Sequence, residues 1–167
     1  MSSEKLRNEI LAARDRRQVL LEGYLAQGYP ATIVLSLNIP GPDKILPGVD
    51  GLFSWALRCL DEMLPIVRKD HQPDGVLGPL CFMMLELEPS EVKQRCMAVE
   101  TAQSFGRLLD IDVYDGNGRQ VDRGSLGVAP RRCLVCNLPA TECIRLGRHT
   151  IQEVIKKTDE YLAHFRY

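Results

Sequence analysis

Apolar side chains recur along this chain with two different spacings, and each spacing predicts one kind of element. In residues 3–26 and 50–64 they recur every three or four positions, which is typical of amphipathic helices. Residues 31–39 and 78–88 are instead near-continuous apolar runs of strand length, with proline and glycine at or beside their ends. The first half of the chain is therefore predicted to form helix, strand, helix and strand in that order.

The same pattern then predicts a further helix, a strand and a hairpin. The helix is expected from residue 91 to about residue 104, with Ser90 as its N-cap and Gly106 closing it. Residues 107–114, RLLDIDVY, alternate between polar and apolar positions as a strand does. The DGNG sequence that follows is typical of a tight turn, and it predicts that the chain returns as a second hairpin strand.

The last helix is predicted to begin at a T-x-x-E capping box formed by Thr150 and Glu153. Strands that alternate with helices before a hairpin favour the α/β (α+β) class, with a mixed sheet of about four to five strands flanked by helices. A Cys/His loop, residues 130–149, precedes the C-terminal helix as an appendage. At 167 residues the chain is long enough for one compact core, so residues 1–167 are predicted to form a single domain.

Composition and charge limit the kinds of molecule that the protein is expected to bind. Charged residues make up 26% of the chain and the formal net charge is -1, so no global field would attract nucleic acid or an anionic membrane. The N-terminal segment is charged throughout, unlike a signal peptide, and no apolar run approaches the roughly 20 residues of a membrane span. We therefore expect a cytoplasmic protein with neither nucleic-acid nor membrane partners, in which the six cysteines stay reduced.

Two carboxylates, Asp110 and Asp112, interrupt the apolar pattern of residues 107–114. Side chains two positions apart on a strand point to the same face, about 6.7 Å apart along the chain. Such carboxylates repel each other unless a cation lies between them, and Mg²⁺ prefers oxygen ligands. The pair predicts either a Mg²⁺ site for phosphoryl or nucleotidyl transfer, with Gly106 and Arg107 on the phosphates, or an ordinary solvated strand face. The candidates for a third carboxylate are Glu100, Glu86, Glu88 and Asp122.

The residues Cys133, Cys136, Cys143 and His149 form a C-x2-C-x6-C-x5-H arrangement. Three sulfurs and one imidazole can complete the tetrahedral shell of Zn²⁺ with no open position, which is typical of a structural metal site. The gap between Cys143 and His149 is longer than usual, so a chance grouping of cysteines stays as the alternative. A redox-active pair is disfavoured because no helix is predicted to start directly after Cys133 and lower the pKa of its thiol.

Three segments are informative in combination: LSLNIPGPDK at residues 35–44, GRLLDIDV at residues 106–113 and PRRCLVCNLPATECIRLGRH at residues 130–149. With the charged ARDRRQ at residues 13–18, they resemble the apo-citrate lyase phosphoribosyl-dephospho-CoA transferases, also called citrate lyase holo-acyl-carrier-protein synthases. The resemblance covers most of the chain in matching order and is weakest between about residues 50 and 95.

The resemblance implies a nucleotidyltransferase-like domain that uses 2'-(5''-triphosphoribosyl)-3'-dephospho-CoA. Its phosphoribosyl-dephospho-CoA group would be joined to a serine of the acyl-carrier (gamma) subunit of citrate lyase, with release of pyrophosphate. Asp110 and Asp112 would hold Mg²⁺, while Gly106 and Arg107 contact the phosphates. The other residues implied at the anionic substrate are Asn38, Lys44, Arg14, Gln18, Arg131 and Arg132, with Glu100 as a third carboxylate.

Two other functions stay open at this point. A related metal-dependent nucleotidyltransferase would act on another carrier protein, such as that of malonate decarboxylase, or on a small alcohol. Alternatively, the chain is a non-enzymatic zinc-knuckle binding module, and its paired aspartates are only surface charges.

Overall fold

Four strands form one antiparallel sheet at the centre of the fold in the computed structural model, which describes residues 3–72 and 75–166. The strands are β1 (Ala31–Leu37), β2 (Arg68–Gln72), β3 (Leu80–Leu85) and β4 (Leu109–Asp115). Their order across the sheet is β2-β3-β1-β4, so β2 and β4 lie at its two edges.

The α/β (α+β) class and the number of strands are confirmed, but the strand directions differ from the expected mixed sheet. All three strand pairings are antiparallel. The reason is β2, which the hydrophobic pattern did not reveal. It pairs with β3 and reverses the chain, so β3 lies antiparallel to β1 instead of completing a parallel βαβ unit. The polar sequence RKDHQ of β2 has no fully buried residue, which suits an edge strand.

The described ranges contain five α-helices, and four of them contribute to the cores on the two faces of the sheet. They are α1 (Ser3–Leu25), α2 (Val49–Met63), α3 (Pro89–Ala102), α4 (Ala140–Leu146) and α5 (Ile151–Leu162). The larger apolar core lies between one face of the sheet and α2, α3 and α5. On the other face, Tyr24 of α1 stacks on Phe82 with ring centroids 4.3 Å apart. No helix in the described ranges is both long enough and apolar enough to cross a membrane.

The predicted helices all form, but two details of the third one are wrong. α3 begins at Pro89 with Glu88 as its N-cap, so Ser90 lies inside the first turn. Proline suits this first position because an N–H there would have no partner within the helix. α3 also ends before Gly106, which lies in a separate 3-10 turn, Ser104–Leu108.

The C-terminal part of the chain contains one helix that was predicted and one that was not. The capping box of α5 is confirmed, because the Glu153 N–H donates to the Thr150 hydroxyl at 3.2 Å and the Glu153 carboxylate accepts from the Thr150 N–H at 2.7 Å. α4 lies within the segment expected to be a loop. Of its residues only Cys143 is buried, so α4 has no apolar stripe that the pattern could reveal.

The turn predicted from DGNG forms, but the second hairpin strand does not. The Asp115 carboxylate accepts hydrogen bonds from the N–H groups of Asn117 and Arg119 at 2.8 and 2.9 Å. After the turn, Gln120 and Val121 make the remaining backbone contacts with β4. The chain then leaves the edge of the sheet, and this places the following segment beside the face that carries the two aspartates.

Candidate functional site

Asp110 and Asp112 lie on the face of β4 that points away from the larger core. Their neighbours Leu109, Ile111 and Val113 are all buried, whereas both aspartates are half-buried. The alternation follows from the period of two of a strand. The Asp112 carboxylate accepts a hydrogen bond of 2.6 Å from the Gln120 amide, and Ser36 on β1 lies opposite Asp110 with its hydroxyl 3.5 Å from the carboxylate.

The negative charges of the two aspartates repel each other. Burial raises the pKa of Asp112 above its ordinary value, and the negative charge of Asp110 raises that pKa further. The positive charges of Lys93 and Arg131 act in the opposite direction but do not prevail. The ionised pair is therefore costly as it stands, and a divalent cation bound between these oxygen ligands would remove the repulsion. The residues present thus fit a Mg²⁺ ion.

A cavity of about 550 Å³ opens beside the two aspartates, and we call it the aspartate cavity. Three cationic side chains, Lys93, Arg123 and Arg131, also line it. Lys93 is only 6% exposed, and its ammonium group donates to the Ile111 carbonyl at 2.7 Å. Cations that face a pair of carboxylates across one cavity could hold an anionic substrate together with its metal ion. Of the other acids considered as a third ligand, Asp122 lines the aspartate cavity and Glu86 and Glu88 do not.

Glu100 does not face the aspartate cavity with a free carboxylate. Its side chain is 2% exposed, and its two oxygens accept hydrogen bonds from the guanidinium groups of Arg123 and Arg131. The other terminal nitrogen of Arg131 donates to the Leu109 carbonyl at 2.8 Å. These contacts favour a role for Glu100 in positioning the two arginines over the predicted role as a metal ligand.

Lys93 and Arg123 were not identified from the sequence. Lys93 had a signal, because on α3 it lies on the buried side with Cys96 and Glu100, at helical spacing. Charged residues in the buried stripe of a helix need a partner and therefore indicate a polar site. Arg123 lies in an irregular segment, and no local pattern distinguishes it from a solvated arginine.

Arg107 and Gly106 connect the end of α3 with the Cys/His segment. The Arg107 guanidinium donates to the Cys133 carbonyl at 2.8 Å and to the Asn137 side-chain oxygen at 3.4 Å. Gly106 is buried, and a Cβ atom added to it would overlap the carbonyl group of Glu100. The glycine is therefore required for close packing between two backbone segments, whether or not a phosphate also approaches it.

The substitution Gly106→Ala is expected to destabilise the fold through this overlap. The colliding atoms belong to backbone and cannot rotate away, so a loss of about 1–3 kcal/mol in the free energy of unfolding is expected. Urea unfolding of the unliganded protein measures it. Gly23→Ala is the matched control, because a Cβ atom there would meet no atom within 4 Å. Equal stability of the two variants would contradict the prediction.

The four substrate-binding residues predicted in the N-terminal half lie outside the aspartate cavity. The Lys44 ammonium donates to the Ile39 carbonyl, and burial lowers the pKa of Lys44, as does the nearby charge of Arg14. Gln18 donates to Glu22 on its own helix at 2.9 Å. Asn38 lines a cavity of about 270 Å³ beside the Cys/His segment, together with Arg107, Arg131 and Arg132. None of Asn38, Lys44, Arg14 and Gln18 lines the aspartate cavity in the part of the chain that the structure describes.

The structure brings Cys133, Cys136, Cys143 and His149 together. One ligand atom from each residue lies within 4.8 Å of all the others. The Cys136 sulfur is 3.5 Å from the Cys143 sulfur and 3.3 Å from Nε2 of His149. Tetrahedral Zn²⁺ with ordinary bond lengths separates two such sulfurs by about 3.8 Å and a sulfur from a nitrogen by about 3.6 Å. The cluster therefore fits a metal ion such as zinc without a large rearrangement.

The thiols of the cluster perturb one another. Burial raises the pKa of Cys143 to about 12, and the neighbouring thiols of Cys136 and Cys133 raise it as well. Burial also raises the pKa of Cys133, but hydrogen bonds from the backbone N–H groups of Cys136 and Val135 and from the thiols of Cys143 and Cys136 together outweigh burial, so the net direction is down. Three thiols at this separation cannot all ionise without a cation, which is the electrostatic situation that a bound metal resolves.

Comparison with known proteins identifies relatives over nearly the full chain. A Streptococcus pyogenes serotype M18 protein, named "Probable apo-citrate lyase phosphoribosyl-dephospho-CoA transferase", is 29% identical over 165 residues, which are 95% of this chain and 85% of that protein. A Citrobacter koseri protein, named "Apo-citrate lyase phosphoribosyl-dephospho-CoA transferase", is 26% identical over 158 residues, or 92% of this chain and 86% of that protein.

A third relative is considerably longer than this chain. "Protein CitXG" of Leuconostoc mesenteroides subsp. cremoris is 31% identical over 163 residues, which are 94% of this chain but only 35% of that protein. The sequence model of the apo-citrate lyase phosphoribosyl-dephospho-CoA transferase family matches residues 6–165. Because this match extends over nearly the whole chain, the chain belongs to the apo-citrate lyase phosphoribosyl-dephospho-CoA transferase family and is a transferase.

Proposed function

We propose that this chain attaches the phosphoribosyl-dephospho-CoA group to the apo acyl-carrier (gamma) subunit of citrate lyase. The donor is 2'-(5''-triphosphoribosyl)-3'-dephospho-CoA, the acceptor is a serine hydroxyl, and pyrophosphate is released. The observation that carries the proposal is the pair Asp110 and Asp112 in one cavity with three cationic side chains, within a chain of this transferase family. Transfer of a phosphate-linked group depends mainly on such positioning and charge stabilisation.

The reaction forms one phosphorus–oxygen bond and breaks another. The serine oxygen attacks the phosphorus next to the ribose and gives up its proton to a base or to water, while the departing pyrophosphate takes the electron pair of the broken bond. Asp110 and Asp112 would hold a Mg²⁺ ion, which would supply charge stabilisation for the leaving group. Lys93 and Arg131 line the same cavity, where they hold and orient the phosphate oxygens.

We further propose that the Cys/His cluster holds a structural Zn²⁺ ion. The support is the donor set, three sulfurs and one imidazole nitrogen, which leaves no coordination position for a substrate. The metal would fix the segment that begins at Arg131. Because Arg107 donates to the Cys133 carbonyl, the metal would also restrain Arg107, which lies just before β4. The proposal assigns the protein to the cytoplasm, where thiols stay reduced and able to bind metal.

The test of the transferase proposal is a mass measurement on the carrier. The chain is incubated with Mg²⁺, the triphosphoribosyl donor and the apo-carrier of citrate lyase. The expected result is a carrier heavier by one phosphoribosyl-dephospho-CoA group, and pyrophosphate formed in equal amount. A carrier variant with alanine in place of the acceptor serine should show neither change.

Two parallel incubations separate the alternatives. In the first, the apo-carrier of malonate decarboxylase replaces that of citrate lyase; modification of this carrier alone would assign a different acceptor. In the second, the chain carries both Asp110→Asn and Asp112→Asn. Full activity of that double variant would exclude the aspartates from the reaction, while the absence of activity in every incubation would favour a binding module.

A further inference from the structure

A second cavity adjoins the aspartate cavity, and we call it the arginine cavity because four arginines line it. Its volume is about 390 Å³, and it shares Arg123 and Arg131 with the aspartate cavity. Arg107 and Arg132 complete the set. The acid in its lining is Glu100, whose charge is already balanced by its two arginine partners. The arginine cavity therefore carries excess positive charge within a chain whose formal net charge is -1.

Two of the four guanidinium groups are held in place before any ligand arrives. The buried Glu100 carboxylate binds Arg123 and Arg131, and Arg131 is fixed a second time by the Leu109 carbonyl. A guanidinium has five N–H donors, so both arginines keep donors for an anion after these contacts are made. Donors that are already ordered cost less conformational entropy when a ligand binds.

The other two arginines differ in how they are held. Arg107 donates to the Cys133 carbonyl and to Asn137. Arg132 is exposed, and within residues 3–72 and 75–166 its guanidinium makes no hydrogen bond or ion pair with another side chain. The arginine cavity thus combines fixed donors on one side with an available, solvated donor in Arg132.

We propose that the arginine cavity binds a diphosphate group. The planar fork of arginine matches pairs of phosphate oxygens, and several forks around one cavity match two linked phosphates better than one small anion. Among the residues that the structure describes, the lining contains no aromatic side chain on which a nucleobase could stack, so the phosphates rather than the adenine are the part of a nucleotide that it suits.

This inference rests on the proposed function, because the proposed donor contains two diphosphate groups. One is the part of the triphosphate that leaves as pyrophosphate, and the other is the bridge of dephospho-CoA. Either can lie in the arginine cavity while the reacting phosphorus lies at the aspartates, since Arg123 and Arg131 line both cavities. Binding measurements with each compound distinguish the two sources.

The experiment is calorimetric titration of the full chain with inorganic pyrophosphate and, separately, with 3'-dephospho-CoA. No Mg²⁺ and no chelator is added, so that Mg²⁺ at the aspartates cannot contribute while a metal ion in the Cys/His cluster stays in place. The test variants are Arg132→Gln and the double variant Arg123→Gln with Arg132→Gln. The matched control is Arg58→Gln, because Arg58 is an exposed arginine on α2 that lines neither cavity. Thermal melting checks that each variant is folded.

At least one of the two compounds is expected to bind the unchanged protein and the Arg58→Gln control with equal affinity. Arg132→Gln should weaken that binding about tenfold to a hundredfold, and the double variant should weaken it further, because each arginine contributes charged hydrogen bonds. Selective binding of pyrophosphate identifies the leaving group as the occupant, and selective binding of dephospho-CoA identifies the bridge.

Binding of neither compound, or equal binding by Arg132→Gln and the control, would overturn the inference. Failure of the proposed function looks different. In that case the carrier gains no mass with the unchanged protein, while pyrophosphate or dephospho-CoA still binds and still depends on Arg132.

Discussion

Asp112→Asn is expected to lower the rate of carrier modification by about a hundredfold or more, with the protein still folded. Asparagine keeps the size of the side chain and the oxygen that accepts from Gln120, but it removes the charge that would hold a divalent cation. Metal stabilisation of a phosphoryl transition state is worth several kcal/mol, and each 1.36 kcal/mol is a factor of ten in rate. The initial rate of pyrophosphate release at saturating Mg²⁺ measures the effect.

The control for this prediction is Asp15→Asn, which removes an exposed carboxylate of α1 and should leave the rate unchanged. A rate for Asp112→Asn within a factor of three of the control would contradict the proposed Mg²⁺ site. The same substitution at Asp110 should have an effect of similar size, since one ion is shared by the pair.

Asp112→Asn should lower the reaction rate but should not lower the stability of the fold. Burial and the charge of Asp110 raise the pKa of Asp112, so the folded state holds a proton on this carboxyl group more tightly than the unfolded state does. Its stabilising contribution is therefore present at low pH and is lost as the pH rises through the raised pKa. At neutral pH without metal, Asp112→Asn should melt at the same temperature as the unchanged protein or higher. A clear decrease would mean that the carboxylate has a structural role.

Cys136→Ser is expected to abolish zinc binding and to lower the melting temperature by about 6–12 °C. The cluster supplies four ligand atoms within 4.8 Å of one another, and serine is a poor ligand for Zn²⁺ in such a site. Loss of a structural metal should cost about 3 kcal/mol or more, and each kcal/mol corresponds to about 2–4 °C for a chain of this size. Metal analysis of the purified protein and thermal melting measure the two effects, with one zinc per chain expected before substitution.

Cys59→Ser is the matched control for the zinc prediction. Cys59 is a half-buried thiol of α2 outside the cluster, and burial raises its pKa as expected for a packed, unreactive cysteine. This variant should keep its zinc. Chelation of the unchanged protein should reproduce the melting behaviour of Cys136→Ser. A zinc-free protein that melts at the same temperature with and without chelator would show that the thiols are only packed together.

Loss of zinc should also disorder part of the arginine cavity, although none of its four arginines is a metal ligand. Arg131 and Arg132 immediately precede Cys133, and Arg107 donates to the carbonyl of that cysteine. Disorder in the cluster would therefore remove the contact that holds Arg107 and loosen the backbone next to Arg132, while Arg131 stays bound to Glu100 and to the Leu109 carbonyl. This coupling gives the proposed structural metal a role in substrate binding without direct contact between the two.

Much of the fold could be predicted because its elements have local signals. The spacing of apolar residues located α1, α2 and β1, and the capping box located the start of α5. The elements that were missed lack such signals. β2 is a polar edge strand and α4 buries a single residue, so neither forms an apolar pattern that distinguishes it from a loop.

The candidate site likewise has features that the sequence could predict and features that it could not. The period of a strand was enough to predict that Asp110 and Asp112 share a face, and the cysteine spacing was enough to nominate a metal cluster. The partners of Glu100 were not predictable, because Arg123 and Arg131 lie 23 and 31 residues away along the chain. The same is true of Lys93, whose position beside the aspartates depends on how α3 packs against β4.

The sequence by itself determined which side chains have complementary chemistry: a same-face pair of acids, a closed set of soft ligands and a supply of arginines. Only the tertiary structure decided which of them meet. Strand direction, the pairing of Glu100 with two arginines and the adjacency of the two cavities depend on contacts between residues far apart in sequence. Local propensity does not encode such contacts, because they form only when the apolar faces of the sheet and the helices pack together.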